Sequence, residues 1–192
     1  MRKIILIFFS ALFAITLAGQ DIEKKPALLV IDIQDFYFPG GDMPLNQPDR
    51  AAANAAVMIN KFRSDGNEVI YIKHNYEPGG AVNISLKPAE GEKVFLKDNI
   101  NSFLGTGLKQ YLEEQNINQL VICGMQTHMC VEAAVRAGSD FGYDCILIHD
   151  ACTSRDLKYD NYIIRAKDVH LSTLSTLRNY ARIMSTEEYL NK

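Results

Sequence analysis

LVICGMQTHMCV, residues 120–131, joins an apolar run, a glycine and a polar segment that ends in a cysteine. An unbroken apolar run is typical of a central strand in a parallel sheet, buried on both faces. We predict that Thr127 is the N-cap of a following helix, which places Cys130 in the first helical turn. Unpaired N–H groups and the helix dipole there favour a thiolate, so we expect a pKa below the usual value of about 8.5. The alternative is that Cys130 is a buried, small apolar side chain.

Around this stretch, strand-like runs alternate with helical patterns. The strands are predicted at 27–33, 68–73, 93–96, 119–124, 144–149 and 181–184, and the helices at 49–64, 105–115, 128–141, 159–178 and 186–191. Such alternation indicates right-handed βαβ units. We therefore predict an α/β fold with a single three-layer α/β/α domain and a doubly wound, Rossmann-like, mostly parallel six-stranded sheet. Ligands bind such sheets where the strand order reverses, which here brings the ends of the first and fourth strands together.

Two charged residues stand at the ends of other predicted strands. Asp32 follows the apolar run ALLVI, and Lys97 follows VFL. Either residue alone is ordinary at a strand end. At one edge of one sheet, however, Asp32, Lys97 and Cys130 combine a proton acceptor, a cation and a nucleophile.

Four blocks carry a resemblance to a known family. They are IDIQDFYFPGG at 31–41, Lys97 with SFLGTGL at 102–108, GMQTHMCV at 124–131 and DAC at 150–152. With these blocks in order, the chain from about Pro26 to its end resembles the isochorismatase-like cysteine hydrolases, in particular the amidohydrolase branch of nicotinamidases and N-carbamoylsarcosine amidases.

The resemblance implies an Asp32-Lys97-Cys130 triad. It also implies an oxyanion hole made by the backbone N–H groups of Gln126 and Cys130, set by a cis peptide at Met125–Gln126. The implied chemistry is hydrolysis of a small amide-type C–N bond through a cysteine thioester, which requires no cofactor. The family also contains isochorismate hydrolases, which generally lack the nucleophilic cysteine, so Cys130 argues against that activity. A homo-oligomer that acts on a small-molecule substrate is the expected form.

The metal site of the nicotinamidase branch is not expected in this chain. Those relatives carry an Asp-x-His pair after the second strand, where this chain has His74 and Tyr76. No other histidine has metal-ligand spacing to a second strong ligand. Nicotinamidase therefore remains the alternative activity.

Four side chains are predicted to line the substrate pocket, although each has a structural alternative. His74 is either a cleft residue or an ordinary strand-end histidine, and His128 suggests a Cys-His pair only if the two side chains share a face. Small-molecule pockets are mostly apolar with a few polar groups. The predicted lining residues are Phe36, His74, Phe103 and His128.

The N-terminus has the pattern of a secretory signal. Arg2 and Lys3 precede the uncharged run 4–18, which ends in small residues. We predict a signal peptide at 1–19 and a hydrolase domain at 20–192, hence a secreted or periplasmic protein. The alternative is an uncleaved membrane anchor. The net charge of −3 and the absence of a basic stripe argue against a nucleic-acid partner.

Export raises the question of disulfides, because oxidising compartments favour them. The chain has four cysteines. Cys123 and Cys145 are predicted in neighbouring strands, where a disulfide is allowed but not required. A second hypothesis makes Cys130 and Cys152 a switchable pair in a redox or binding protein on the same scaffold.

Overall fold

The computed structural model describes residues 23–192. The predicted signal peptide at 1–19 lies outside the described residues and stays a prediction. Within residues 23–192, none of the helices is both long enough and apolar enough to span a membrane.

The described chain contains eight strands and five helices. The strands are β1 (Pro26–Ile31), β2 (Glu68–His74), β3 (Lys93–Lys97), β4 (Gln119–Met125), β5 (Asp144–Thr153), β6 (Leu157–Tyr159), β7 (Tyr162–Ile164) and β8 (Arg182–Met184). The helices are α1 (Pro48–Ser64), α2 (Leu108–Glu114), α3 (Glu132–Asp140), α4 (Ala166–Leu177) and α5 (Thr186–Leu190).

Six strands form one parallel sheet in the order β3-β2-β1-β4-β5-β8. The predicted α/β fold with a six-stranded parallel sheet is confirmed. The strand order reverses at β1, which lies between β2 and β4. The carboxyl ends of the first and fourth strands are therefore neighbours, as the sequence predicts.

Two apolar cores cover the two faces of the sheet. Successive residues of a strand point to opposite faces, so Leu28 and Val30 of β1 pack in one core while Leu29 and Ile31 pack in the other. Helix α1 covers the first face, and α2, α3 and α4 cover the second. The protein therefore has three layers.

Two predicted helices have different limits in the structure. The helix predicted at 159–178 is wrong in its first part, because β6 and β7 form an antiparallel hairpin there and α4 begins only at Ala166. The apolar residues of β7 are β-branched or aromatic, which favours a strand. Helix α2 begins later than the predicted residue 105, because Gly105 and Gly107 have left-handed φ angles of 74° and 76°.

Candidate active site

Four functional side chains come from the carboxyl ends of four adjacent strands. Asp32 directly follows β1, His74 ends β2, Lys97 ends β3, and Cys130 follows β4 in a short π-helical turn. The register pairs His74 with Lys97 on neighbouring strands. The parallel sheet thus brings together residues that are up to 98 positions apart in the sequence, from Asp32 to Cys130.

The ammonium of Lys97 lies at the centre of this group. Its Nζ is 2.8 Å from Oδ2 of Asp32, 3.0 Å from Nδ1 of His74 and 3.2 Å from Sγ of Cys130. A fourth contact, also 3.2 Å, joins it to the backbone carbonyl of Asn99. The side chains of Lys97 and Asp32 are fully buried. The structure therefore brings together the three residues of the predicted triad and adds His74 to them.

The carboxylate of Asp32 keeps unused acceptor capacity. Apart from its ion pair with Lys97 and its contact with the Cys130 thiol, neither of its oxygens accepts a hydrogen bond from the described residues. Asp32 also has a left-handed backbone with φ of 48°, which is uncommon for a residue with a side chain. A buried carboxylate without such partners, within 4.8 Å of the Cys130 sulfur, is able to accept a proton from the thiol.

The pKa of Cys130 contradicts the expectation from the sequence. Burial, followed by the negative charge of Asp32, raises the pKa of the Cys130 thiol to about 12, although Lys97 acts in the opposite direction. The pKa of Asp32 is also raised by burial, against the effect of Lys97. The expected lowering at a helix N-terminus is thus outweighed by burial beside a carboxylate. The side chain of Cys130 is therefore a thiol rather than a thiolate at pH 7.

The same donor atoms have the spacing of a metal site. One ligand atom each from Asp32, His74 and Cys130 lies within 4.8 Å of the others. However, Nζ of Lys97 contacts all three residues, at 2.8 to 3.2 Å. The cation that this group surrounds is the ammonium itself, so the arrangement does not fit a resident metal ion.

The turn that carries Cys130 begins with a close approach between strands. Gly124 has φ of 136°, and a Cβ placed on it would lie 2.0 Å from the carbonyl oxygen of Ile31. Only glycine fits there. The peptide between Met125 and Gln126 is cis in the structure, as the family resemblance implies.

The backbone N–H of Cys130 does not bond the carbonyl oxygen on which the other hydrogen bonds of this turn end. The carbonyl of Gln126 accepts hydrogen bonds from the N–H groups of Met129 and Val131, at 3.0 and 3.3 Å. No bond from the N–H of Cys130 reaches that carbonyl. This is the consequence of a π turn, in which an i→i+5 bond replaces the usual i→i+4 bond.

The predicted N-cap role of Thr127 is wrong. Gln126 precedes the turn and makes no side-chain capping bond. The hydroxyl of Thr127 instead bonds the carbonyl of Thr153 at 3.0 Å and Nδ1 of His170 at 2.8 Å. Thr127 therefore ties the nucleophile turn to β5 and α4 rather than capping a helix.

His128 does not supply a Cys-His pair. Its Nδ1 lies 2.7 Å from the hydroxyl of Ser154, and burial, followed by the charge of Arg155, lowers its pKa. The histidine beside Cys130 is His74. Residues two positions apart on a helical turn face different ways, which is the reason that the sequence made a Cys-His pair with His128 only a conditional alternative.

The two predicted pocket phenylalanines lie outside the triad. Phe103 packs against Phe141 and Tyr143, with ring centroids 5.3 and 6.3 Å away, so it belongs to the core beside α3. Phe36 lines a cavity of about 510 Å³ between the loops at 35–42 and 78–83, and no triad residue lines that cavity. Phe103 is therefore corrected to a core residue, and Phe36 lines a neighbouring space.

All four cysteines are free thiols. The sulfur of Cys152 bonds the carbonyl of Ile148 at 3.3 Å rather than Cys130. Burial raises the pKa of Cys152 to about 12, as it does for Cys145, and raises that of Cys123. Neither the Cys123–Cys145 disulfide nor the Cys130–Cys152 switch pair is formed.

Three residues at the site were not predicted from the sequence: Gln34, Tyr37 and Arg155. Gln34 is fully buried, and its side-chain amide makes two hydrogen bonds to the backbone of His74. Its Oε1 accepts from the N–H of His74 at 2.8 Å, and its Nε2 donates to the carbonyl of His74 at 2.9 Å. The side-chain amide of Gln126 lies between Tyr37 and Arg155, with both contacts at 3.3 Å. A buried polar residue just after an apolar strand was the available signal for Gln34.

Comparisons with known proteins bear on the family and the fold. The model of the isochorismatase domain family matches residues 26–188. The isochorismatase family protein YddQ of Bacillus subtilis is 39% identical over 176 residues, which covers 85% of this chain and 98% of that protein. A crystal structure of an isochorismatase from Pseudomonas putida KT2440 has 31% identity and a TM-score of 0.82, and covers 89% of this chain and 95% of that one. The ureidoacrylate amidohydrolase RutB of Azorhizobium caulinodans is 26% identical over 67% of this chain and 76% of its own length.

Proposed function

This chain belongs to the isochorismatase family of hydrolases, and within that family we propose that it is a cysteine amidohydrolase that cleaves a small amide-type C–N bond. The observation that carries the proposal is the contact set of Asp32, Lys97 and Cys130. A buried thiol, a carboxylate with free acceptor capacity and an ammonium meet at the edge of the sheet where ligands bind.

Acylation begins with a proton transfer. Asp32 accepts the proton of the Cys130 thiol, and the sulfur attacks the carbonyl carbon to form a C–S bond. Lys97 stabilises the thiolate as it forms, because its Nζ lies 3.2 Å from Sγ. Since the resting thiol has a pKa of about 12, this transfer is coupled to attack rather than completed beforehand.

The remaining steps return the enzyme to its starting state. The carbonyl oxygen becomes an oxyanion, which the N–H groups of Gln126 and Cys130 are proposed to stabilise. The C–N bond then breaks, and the leaving nitrogen takes the proton held by Asp32. A water molecule gives a proton to Asp32 while its oxygen attacks the thioester carbon. The C–S bond then breaks, Asp32 returns the proton to the Cys130 sulfur, and the acid leaves.

The positive charge beside Gln126 favours an amide that also carries a carboxylate. Arg155 is exposed and donates a hydrogen bond to the side chain of Gln126, and it forms no ion pair with the described residues. A guanidinium binds a carboxylate with two parallel hydrogen bonds. We therefore propose ureido acids and related amide acids as the substrate class, which is in keeping with the similarity to an amidohydrolase named for ureidoacrylate.

Ammonia release from purified protein tests the reaction and the substrate class together. Ureido acids, their uncharged esters, simple primary amides and nicotinamide are compared at equal concentration, with Cys130→Ala as the control for contaminating activity. We expect release only with active Cys130 and the highest kcat/KM with the acids. Preference for nicotinamide would establish the alternative activity, and release that persists in Cys130→Ala would refute the cysteine mechanism.

Replacing the cation isolates the role of Arg155. Arg155→Gln keeps a polar side chain near Gln126 but removes the charge, so KM for the acids should rise while KM for the uncharged esters stays constant. An equal increase in KM for the acids and for the esters would show that Arg155 only supports the side chain of Gln126.

Export is a separate proposal that rests on residues 1–19. It predicts that the mature protein isolated from the producing cells lacks this segment and is found outside the cytoplasm. N-terminal sequencing after cell fractionation checks it, and an intact N-terminus in the membrane fraction would favour the anchor.

A further inference from the structure

We propose that His74 is a positioning residue whose neutral ring accepts a hydrogen bond from Lys97 and so holds the ammonium between Asp32 and Cys130. The proposal rests on the proposed hydrolase mechanism and adds to it a residue outside the triad. Its basis is the contact of 3.0 Å between Nδ1 of His74 and Nζ of Lys97.

The contact defines the tautomer of His74. A lysine ammonium has three donors and no acceptor, so the ring nitrogen that faces it must accept. Nδ1 therefore carries no proton, and the neutral ring is protonated at Nε2. An imidazolium has donors at both nitrogens and is unable to make this contact.

The backbone of His74 is held as firmly as its ring. The amide of Gln34 bonds both the N–H and the carbonyl of His74, and its Nε2 also bonds the carbonyl of Gly80 at 2.7 Å. This clamp fixes the end of β2 to the segment that follows β1. The backbone position of His74 is therefore fixed. Lys97 is its register partner on the neighbouring strand, so the two side chains start from adjacent backbone positions.

The ring completes the surroundings of the ammonium. Four acceptors surround the ammonium of Lys97, which has only three protons to donate: Asp32, His74, Cys130 and the carbonyl of Asn99. Without the ring, the ammonium is drawn towards the carboxylate of Asp32 and the Asn99 carbonyl, which are stronger acceptors than the sulfur, so thiolate stabilisation weakens. A misplacement of about 1 Å is enough to cost roughly 100-fold in rate.

Protonation of His74 should disassemble this arrangement. The groups that face its ring are Lys97, Asp32, Cys130 and, from the loop after β3, Asp98. Burial and the charge of Lys97 lower the pKa of His74, so the ring is neutral at pH 7. Below that pKa two cations would lie 3.0 Å apart, which predicts that His74 contributes one ionisation to the acid limb of activity beside that of Asp32.

NMR of the free protein tests the tautomer without any substrate. Nitrogen shifts of the His74 ring, assigned by their loss in His74→Gln, should show an unprotonated Nδ1 and a protonated Nε2 at pH 7. A proton on Nδ1, or a charged ring at this pH, would overturn the proposal.

Activity of two variants tests the positioning role. His74→Leu removes the acceptor and should lower kcat by roughly 100-fold, with iodoacetamide labelling of Cys130 shifted to higher pH. His74→Gln supplies an amide oxygen as a replacement acceptor, so it should recover most of the activity and lose one ionisation from the acid limb. His149→Gln, a histidine on β5 that lines a different cavity, is the matched control.

The readouts separate the two proposals. If the wild type releases ammonia from no amide, the proposed function fails, whereas labelling and NMR still test His74. If His74→Leu matches the wild type in its labelling profile, His74 does not position Lys97. If His74→Leu does not fold, the tautomer and the pH profile of His74→Gln decide.

Discussion

The Nζ of Lys97 lies 2.8 Å from Oδ2 of Asp32, and both side chains are fully buried. Withdrawing two charges from water costs several kcal/mol each, so the pair is stable only because each charge compensates the other. Stability alone does not explain why two charged residues occupy these positions, because a protein with an apolar pair of similar volume there is often at least as stable. The pair is better explained by its third neighbour, Cys130.

A double-mutant cycle measures this dependence. Lys97→Met leaves the Asp32 charge buried and should lower the free energy of unfolding by about 3 kcal/mol. Adding Asp32→Asn removes the uncompensated charge and should restore most of that stability without restoring turnover. Urea unfolding and ammonia release on all four proteins provide the measurements. Additive stability losses would contradict a coupled pair.

The labelling of Cys130 should follow its raised pKa. With a thiol pKa of about 12, iodoacetamide labelling in the wild type should be slow at pH 7 and still rising at pH 10. Asp32→Asn removes the charge that raises this pKa and should label faster, while turnover is lost for want of a proton acceptor. Lys97→Met should label more slowly. A wild-type rate that reaches its plateau below pH 8 would restore the lowered pKa expected from the sequence.

How far the sequence predicts this site depends on whether the signal is local. The alternation of apolar runs is local, and it gives the sheet and the neighbouring ends of β1 and β4. The resemblance to the family implies that Asp32, Lys97 and Cys130 form a triad. The pKa of Cys130 depends on burial and on a carboxylate from another strand, and the contact of His74 with Lys97 depends on the register of β2 and β3. Such relations arise only when the strands are assembled, so the sequence predicts His74 as a pocket residue without predicting its contact with Lys97.

Removal of metal should leave the activity unchanged. The ammonium of Lys97 contacts the three residues whose donor atoms have metal-site spacing, so a divalent ion has no free position there. We expect full turnover after dialysis against a strong chelator, with metal content measured by elemental analysis. Recovery of a lost activity by added zinc, iron or manganese would contradict this and favour the nicotinamidase hypothesis.

Gly124 should tolerate no side chain. Its φ is 136°, and a Cβ at this position would lie 2.0 Å from the Ile31 carbonyl oxygen, so a side chain requires β4 to move away from β1 at the nucleophile turn. Gly124→Ala should therefore destabilise the fold by several kcal/mol and impair turnover. Gly66→Ala is the matched control, because Gly66 also has a positive φ, 71°, but no atom within 4 Å of its Cβ position. Gly66→Ala should lower the free energy of unfolding by about 1 kcal/mol. An equal decrease in the free energy of unfolding in the two variants would mean that the close approach of Gly124 to the Ile31 carbonyl has no effect on stability.

Acid should weaken the fold through three histidines. Burial is the leading cause that lowers the pKa values of His74, His128 and His170. The unfolded chain takes up protons on these rings near pH 6.5, whereas the folded protein does so only at lower pH. Because the unfolded state then binds more protons, the free energy of unfolding falls as the pH drops below about 6.5. The raised pKa of Asp32 acts in the opposite direction, so the histidine effect is measured in the Asp32→Asn variant, which lacks that group. Urea unfolding at pH 7.5, 6.5 and 5.5 should show this decline, with a smaller slope in His170→Gln. A stability that is constant or increases towards pH 5.5 would contradict it.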